Sequence, residues 1–163
     1  MKKLLTVSSF LAIVVGAIMI VGGVWGIVFT YNNVARENIT TPGDASIANA
    51  PVRGPFTLRA QAEIIRLHVL KTTNGATYSE MPQKIVKTDE EGQPVLDANG
   101  EAIMVSNEGR SIWLTATTLM TALNLAIITY VFSSLIILLG FISIWTGITF
   151  FFLRKGFAIE SIK

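Results

Sequence analysis

Hydrophobic and polar positions divide this chain into two long apolar runs and a mixed middle. The first run, Leu4 to Phe29, follows Lys2-Lys3, and the second, Ser111 to Leu153, carries no charge until Arg154-Lys155. A bilayer core takes roughly 20 apolar residues at about 1.5 Å each, so the first run predicts a transmembrane helix over 4–31. Its length, and the lack of a small-x-small cleavage site after it, favour an uncleaved span over a secretory signal, with Trp25 and Tyr31 at the outer interface. The second run, read as one helix over 111–153, overshoots a bilayer by about 30 Å. Counting back from Arg154, the spanning part is 129–153, with Tyr130 near the outer headgroups and Trp145 deeper. The turns before it set Thr115, Thr117, Thr118, Thr121 and Asn124 on one side. On the other, Ile112, Ala116, Leu119, Leu123 and Ile127 form a stripe that needs a cover.

The middle, 32–110, supplies a candidate for that cover. A Pro- and Gly-containing connection, TTPGDASIANAPVRGP, leads to Pro55, and Asn74-Gly75 offers a left-handed stop, so a helix is expected over about 56–73. Leu58, Ala62, Ile65 and Val69 line one face of it. Arg59, Glu63, Arg66 and Lys71 remain solvated, with Arg59 and Glu63 an i,i+4 pair. Thr77 to Met81 reads as a short helical turn ended by Pro82. Over about 84–105 the pattern becomes β-like, with an eight-residue echo in Asp89/Asp97, Gly92/Gly100, Val95/Ile103 and Leu96/Met104. Asn99-Gly100, a dipeptide that accepts two positive φ values, predicts a hairpin between Gln93–Leu96 and Glu101–Val105. The expected fold is therefore mainly α: two transmembrane helices and a small extracytoplasmic α+β cap with one amphipathic helix and a short β-hairpin.

Charge sets the expected orientation. Of 13 Lys/Arg and 11 Asp/Glu in the chain, Lys2, Lys3, Arg154, Lys155 and Lys163 face only Glu160 across the two ends, leaving eight against ten between them. Basic flanks are retained on the cytoplasmic side, so both termini, including the tail 154–163, are expected inside and the middle outside. The slight acidity of that middle argues against nucleic acid or anionic lipid as its ligand. With no cysteine among 163 residues, disulfides, thiolate ligands and a lipoprotein anchor are excluded.

Small residues mark the faces along which helices approach. Ser8, Ala12 and Gly16 recur at four-residue spacing, Gly22 and Gly26 bound GGVWG, and Ser143 and Gly147 give the second span a similar notch. Gly16, Gly22, Gly26, Ser143 and Gly147 are the helix-packing candidates, either between the two spans of one chain or against a neighbouring subunit. Neither span holds an ionisable residue, which weighs against a transporter, proton relay or voltage sensor.

Candidate chemistry is sparse. His68 is the single histidine and reads as a hydrogen-bonded or surface residue of the amphipathic helix. Asp97, Asn99 and Glu101 lack the remaining ligands of a calcium loop and read as turn residues. Asn38-Ile39-Thr40 fits the glycosylation pattern, which arises often by chance. No catalytic, metal-binding or cofactor-binding residue is assigned, and no cofactor is expected.

The order Pro51-Val52-x-Gly54-Pro55-Phe56-Thr57, then Gln61-Ala62-Glu63-x-Ile65 with His68, then Gly75-x-Thr77-Tyr78-Ser79-Glu80-Met81, set between two spans, resembles a family of small two-pass actinobacterial membrane proteins. The resemblance covers most of the chain, with the segment around Val86 to Ser106 as an insertion. Members often carry the automatic name aromatic ring-opening dioxygenase. That chemistry holds iron with two histidines and a carboxylate, and one histidine cannot supply the triad. The chain is also similar to the accessory two-pass subunits, or association factors, of the cytochrome bcc-aa3 respiratory supercomplex. The resemblance implies a non-catalytic accessory or assembly subunit in the bacterial cell membrane, with integral membrane proteins and the lipid bilayer as partners and no nucleic acid. A self-assembling two-span channel or envelope sensor is the alternative, with Thr129, Ser133, Ser134, Ser143, Thr146 and Thr149 as a lining, and a membrane-bound enzyme is a third class.

Overall fold

A computed structural model describes residues 2–160, and the side chains of residues 3–154. The side chains of Lys2, Lys155, Glu160 and Lys163, on which much of the charge asymmetry rests, lie outside the described residues. The order of elements is α1 (Lys2–Arg36), α2 (Pro55–Thr72), β1 (Lys84–Val86), β2 (Met104–Ser106) and α3 (Glu108–Glu160). Two of the helices, over Lys3–Arg36 and Glu108–Arg154, are long and apolar enough to cross a membrane by length and composition. The chain forms two compact units. One comprises Met1–Ile39, Pro51–Pro55 and Leu125–Lys163; the other comprises Thr40–Ala50 and Phe56–Asn124.

Both long helices outrun their apolar stretches. α1 continues past 31 to Arg36, because Asn32 and Asn33 are tolerated by a helix already propagating; the Asn33 amide donates to the Phe29 carbonyl at 2.8 Å. Its stop is Asn38, whose φ of 50° takes the chain out of the helical region. α3 begins three residues before 111. Asn107 caps it, its Oδ1 accepting the Gly109 N–H at 3.0 Å, and Glu108 occupies the first turn, where negative charge is favoured. From there it runs without interruption through 153 to Glu160, 53 residues or about 80 Å.

In the first unit the connection returns to the helices at Pro51–Pro55. Val52, only 1% exposed, donates its N–H to the Ile39 carbonyl at 2.9 Å, and the Tyr130 hydroxyl donates to the Arg53 carbonyl at 2.7 Å.

In the second unit α2 ends as its terminal dipeptide predicts, with Asn74 at φ 51° and Gly75 at φ 83°, the Gly75 N–H donating to the Leu70 carbonyl at 2.7 Å. Burial along α2 is wider than one stripe. Leu58, Ala62 and Val69 are buried as expected, but so are Ala60 and Ile64, and Ile65 is only half-buried. On α3 the covered arc is rotated from the expected one. Trp113, Ala116 and Leu123 are buried while Ile112 and Leu119 are 40% and 48% exposed. The reason is the indole, which packs with Val69 and Ala116 and is flanked by Ile65, Leu70, Met81 and Met120. Thr77–Met81 forms a turn and not a helix: the Glu80 carboxylate takes the Thr77 N–H at 2.6 Å and its hydroxyl at 2.7 Å, in competition with helical bonding.

The eight-residue echo has a structural meaning. β1 and β2 pair antiparallel, Lys84 with Ser106, Ile85 with Val105 and Val86 with Met104. Beyond them Lys87 N–H donates to the Ile103 carbonyl at 2.8 Å, Ile103 N–H to the Val95 carbonyl at 2.9 Å, and Val95 N–H to the Lys87 carbonyl at 2.9 Å. Three residues eight apart thus close a ring of backbone hydrogen bonds. Two like turns hang from it, closed by the bridges Thr88–Pro94 and Leu96–Ala102. In one, Asp89 Oδ1 accepts the N–H groups of Glu91 and Gln93; in the other, Asp97 Oδ1 accepts those of Asn99 and Glu101. Gly92 and Gly100 take the positive φ in each, 80° and 83°.

The expected hairpin between Gln93–Leu96 and Glu101–Val105 is therefore corrected. β2 pairs with β1, and Gln93–Leu96 contributes only isolated bridges. The two-residue Asn99-Gly100 turn needs positive φ at both residues, whereas Asn99 is not among those with positive φ. The Asp97 carboxylate, bonded to two backbone amides, selects the longer turn.

The N–H groups of Glu101 and Asn99 hold the Asp97 carboxyl below the usual carboxylate range. A lowered folded pKa means that ionised Asp97 stabilises the turn above its ordinary pKa, and that this support is lost as pH falls through the lowered value. Asp97→Ala should accelerate amide exchange at Asn99 and Glu101 while leaving the β1–β2 pairing protected. Equal acceleration at Ile85 and Val105, the hydrogen-bonded pair of the ladder, would show instead that the turn holds the sheet.

Candidate functional site

The residues brought together most closely lie along α1 and the membrane-length part of α3, within the first unit. A Cβ placed on Gly16 would stand 2.6 Å from the Gly140 carbonyl oxygen, and one on Gly140 would stand 2.8 Å from the Gly16 carbonyl oxygen. The same closeness recurs at Gly23, 2.8 Å from the Ser133 carbonyl, and at Gly147, 2.8 Å from the Ser9 carbonyl. Backbone lies against backbone, an approach that only residues without a large side chain permit. Hydroxyls fasten the seam toward one end, Ser9 donating to the Gly147 carbonyl at 2.7 Å and Ser143 to the Ala12 carbonyl at 2.8 Å.

Of the sequence-predicted packing residues, Gly16, Gly26, Ser143 and Gly147 are in this seam. Gly26 faces Ser133, its added Cβ lying 3.5 Å from the Ser133 Cβ. Gly22 is elsewhere: nothing stands within 4 Å of a Cβ there, and it lines a shallow apolar notch with Ala17, Ile18 and Val21. Packing between the two helices of this chain therefore does not use Gly22. Ser9, Gly23 and Gly140 also belong to the seam without standing out in the four-residue pattern, and so does Ser133, a lining residue on the channel alternative. The signal that finds them is a period of seven: Ser9, Gly16, Gly23 and Thr30 are buried on α1, and Ser133, Gly140 and Gly147 on α3.

Away from the seam, hydroxyls of α3 serve their own helix. Thr129, Ser134, Thr146 and Thr149 donate to the carbonyls four residues earlier, Leu125, Tyr130, Ile142 and Trp145, at 2.8–3.0 Å. Such a hydroxyl presents little polarity outward. The outward side chains are large and apolar, among them Phe10, Val21, Trp25, Phe132, Phe141 and Trp145.

In the second unit His68 meets Asp44, Nε2 to Oδ2 at 2.7 Å. That bond leads the causes that hold the Asp44 carboxyl below its usual range, with the charges of His68 and Lys71 assisting. Both side chains are half or more exposed, so the contact ties the 40–50 loop to α2 without a desolvated environment around it. The loop itself closes on Thr41, 1% exposed, whose hydroxyl both donates to the Ala50 carbonyl and accepts the Ala50 N–H. Arg110 donates to the Met81 carbonyl at 2.6 Å and lies 4.0 Å from the centre of the Tyr78 ring. Among the described residues no group of three His, Cys, Asp or Glu side chains is placed to hold a metal ion. No protein-family model, no curated protein and no solved structure matches this chain, so the reading of the site rests on its own geometry.

Proposed function

We propose that the protein is a two-pass, non-catalytic accessory or assembly subunit of a larger bacterial membrane complex, the respiratory cytochrome bcc-aa3 supercomplex being the one that its sequence resembles. Both termini are cytoplasmic on this reading, and residues 32–110 lie outside. The observation that carries it is the division of labour between helix faces. Gly16, Gly23, Gly26, Gly140 and Gly147 are taken up in the seam between α1 and α3, with Gly22 outside it, while bulky apolar side chains with no ionisable group point outward, suited to lipid and to the spans of a neighbour. Four of the hydroxyls that a pore lining would need are bonded to their own helix, which favours packing over conduction.

Mild-detergent purification of the tagged chain tests the proposal. The expected result is the same set of integral membrane proteins, with cytochrome subunits among them, at fixed stoichiometry across preparations. A solitary monomer, or channel currents from the purified chain in planar bilayers, would refute it.

A further inference from the structure

The 84–106 segment presents an apolar face that its own unit leaves open. Residues paired across an antiparallel ladder share a face, as do residues two apart on one strand. The pairs Val86–Met104, Thr88–Pro94 and Leu96–Ala102 therefore place Val86, Pro94, Leu96, Ala102 and Met104 together. All five are exposed, Val86 by 40%, Leu96 by 56% and Met104 by 50%, whereas Val95, Ile103 and Val105 on the opposite face are half-buried. The ring of three backbone bonds and the two Asp-closed turns hold this face in shape, so little ordering remains to be done on binding. The turns and strand ends that carry it hold Asp89, Glu90, Glu91, Asp97 and Glu101 against Lys87 and against Lys84, which shares the face two residues from Val86.

Charge selects among the occupants that an apolar face will accept. An anionic lipid surface is repelled, and a second copy of the same face would bring carboxylates against carboxylates. A protein patch with an apolar centre bordered by Lys or Arg satisfies both features. We propose that the face carrying Val86, Leu96 and Met104 docks onto such a basic-rimmed patch on the extracytoplasmic side of a partner protein. The proposal rests on the accessory-subunit reading and names the chemistry of one of its contacts.

The test uses the full-length chain in membranes of the organism that makes it, with the photoreactive residue benzoylphenylalanine at Leu96, at Met104 or, as a control on the opposite face, at Ile85. Irradiation at Leu96 and Met104 should give adducts to one protein, mapped to a peptide of net positive charge, at least about tenfold above the yield from Ile85. Combining the Leu96 probe with Glu90→Lys, Glu91→Lys and Glu101→Lys should lower its adducts about tenfold, the scale on which charge complementarity governs encounter. Retained amide protection at Gln93 and Glu101 shows that those variants keep both turns. Adducts to lipid, to a second copy or to an acidic peptide, equal yield from Ile85, indifference to charge reversal, or no adduct would each overturn the docking proposal. If co-purification at fixed stoichiometry persists in those cases, the accessory-subunit reading stands without it; if co-purification also fails, that reading falls too.

Discussion

Gly16→Leu combined with Gly140→Leu should part α1 from α3. Each added Cβ would meet a backbone carbonyl oxygen at 2.6–2.8 Å, inside van der Waals contact, and a backbone inside a helix cannot step aside as a side-chain end can. Overpacking a tight contact costs typically about 1–3 kcal/mol per site, and two facing sites at the centre of one seam act together. The hydroxyls cannot compensate, since hydrogen bonds between membrane helices are worth on average about 0.6 kcal/mol. Ser9→Ala and Ser143→Ala should accordingly weaken the seam only slightly. The native chain has no cysteine, which makes a clean assay available. Gly26→Cys with Ser133→Cys sets two Cβ atoms about 3.5 Å apart, at the short end of disulfide geometry. That pair should oxidise readily in the otherwise native chain and poorly once Gly16 and Gly140 are leucine. Equal oxidation in both backgrounds would mean that the glycines do not set the approach of the helices.

Trp113→Ala should be the most damaging single change in the second unit. The indole is 4% exposed and forms one cluster with Val69 and Ala116, and its N–H donates to the Ala76 carbonyl at 2.8 Å and toward the Thr73 hydroxyl at 3.2 Å. Truncating a buried Trp to Ala costs about 3–5 kcal/mol, a large share of what a small unit can have. Trp113→Phe keeps most of the apolar volume and loses the donor, so it should cost less, about 0.5–1.5 kcal/mol for the lost bond, because the Ala76 carbonyl still accepts the Thr73 hydroxyl at 2.7 Å. Hydrogen exchange in detergent separates the two units. Trp113→Ala should expose the amides of α2 while those of 133–150 keep their protection. Loss of protection in both would show one cooperative body.

How much of this was legible along the chain depends on how many turns a pattern must hold. The two apolar runs, the start of α2 at Pro55 and its stop at Asn74-Gly75 depend on neighbours in sequence, and they are read directly. The packing face of α1 needs a period kept over three or more turns. Four-residue spacing drifts about 40° around a helix with each step and seven-residue spacing about 20°, so over Ser9 to Thr30 only the latter stays on one side. That is why Gly22, four residues from Gly26, faces away, and why Gly23 and Gly140 were passed over. The echo between Asp89 and Asp97 is visible as a repeat, but the ring through Lys87, Val95 and Ile103 joins three separate segments outside the two strands and has no two-strand signature.

By itself the sequence determined where the long helices lie, because runs of apolar residues with charged ends and local turn chemistry leave few alternatives. Tertiary structure alone decided which arc of each helix is covered. An amphipathic stretch offers two adjacent arcs of nearly equal apolarity, and the choice went to Trp113 over Ile112 because only the indole finds both a packed cluster and acceptors for its N–H in the turn after α2. The seam between α1 and α3 follows the same rule, its register set where facing backbones can touch.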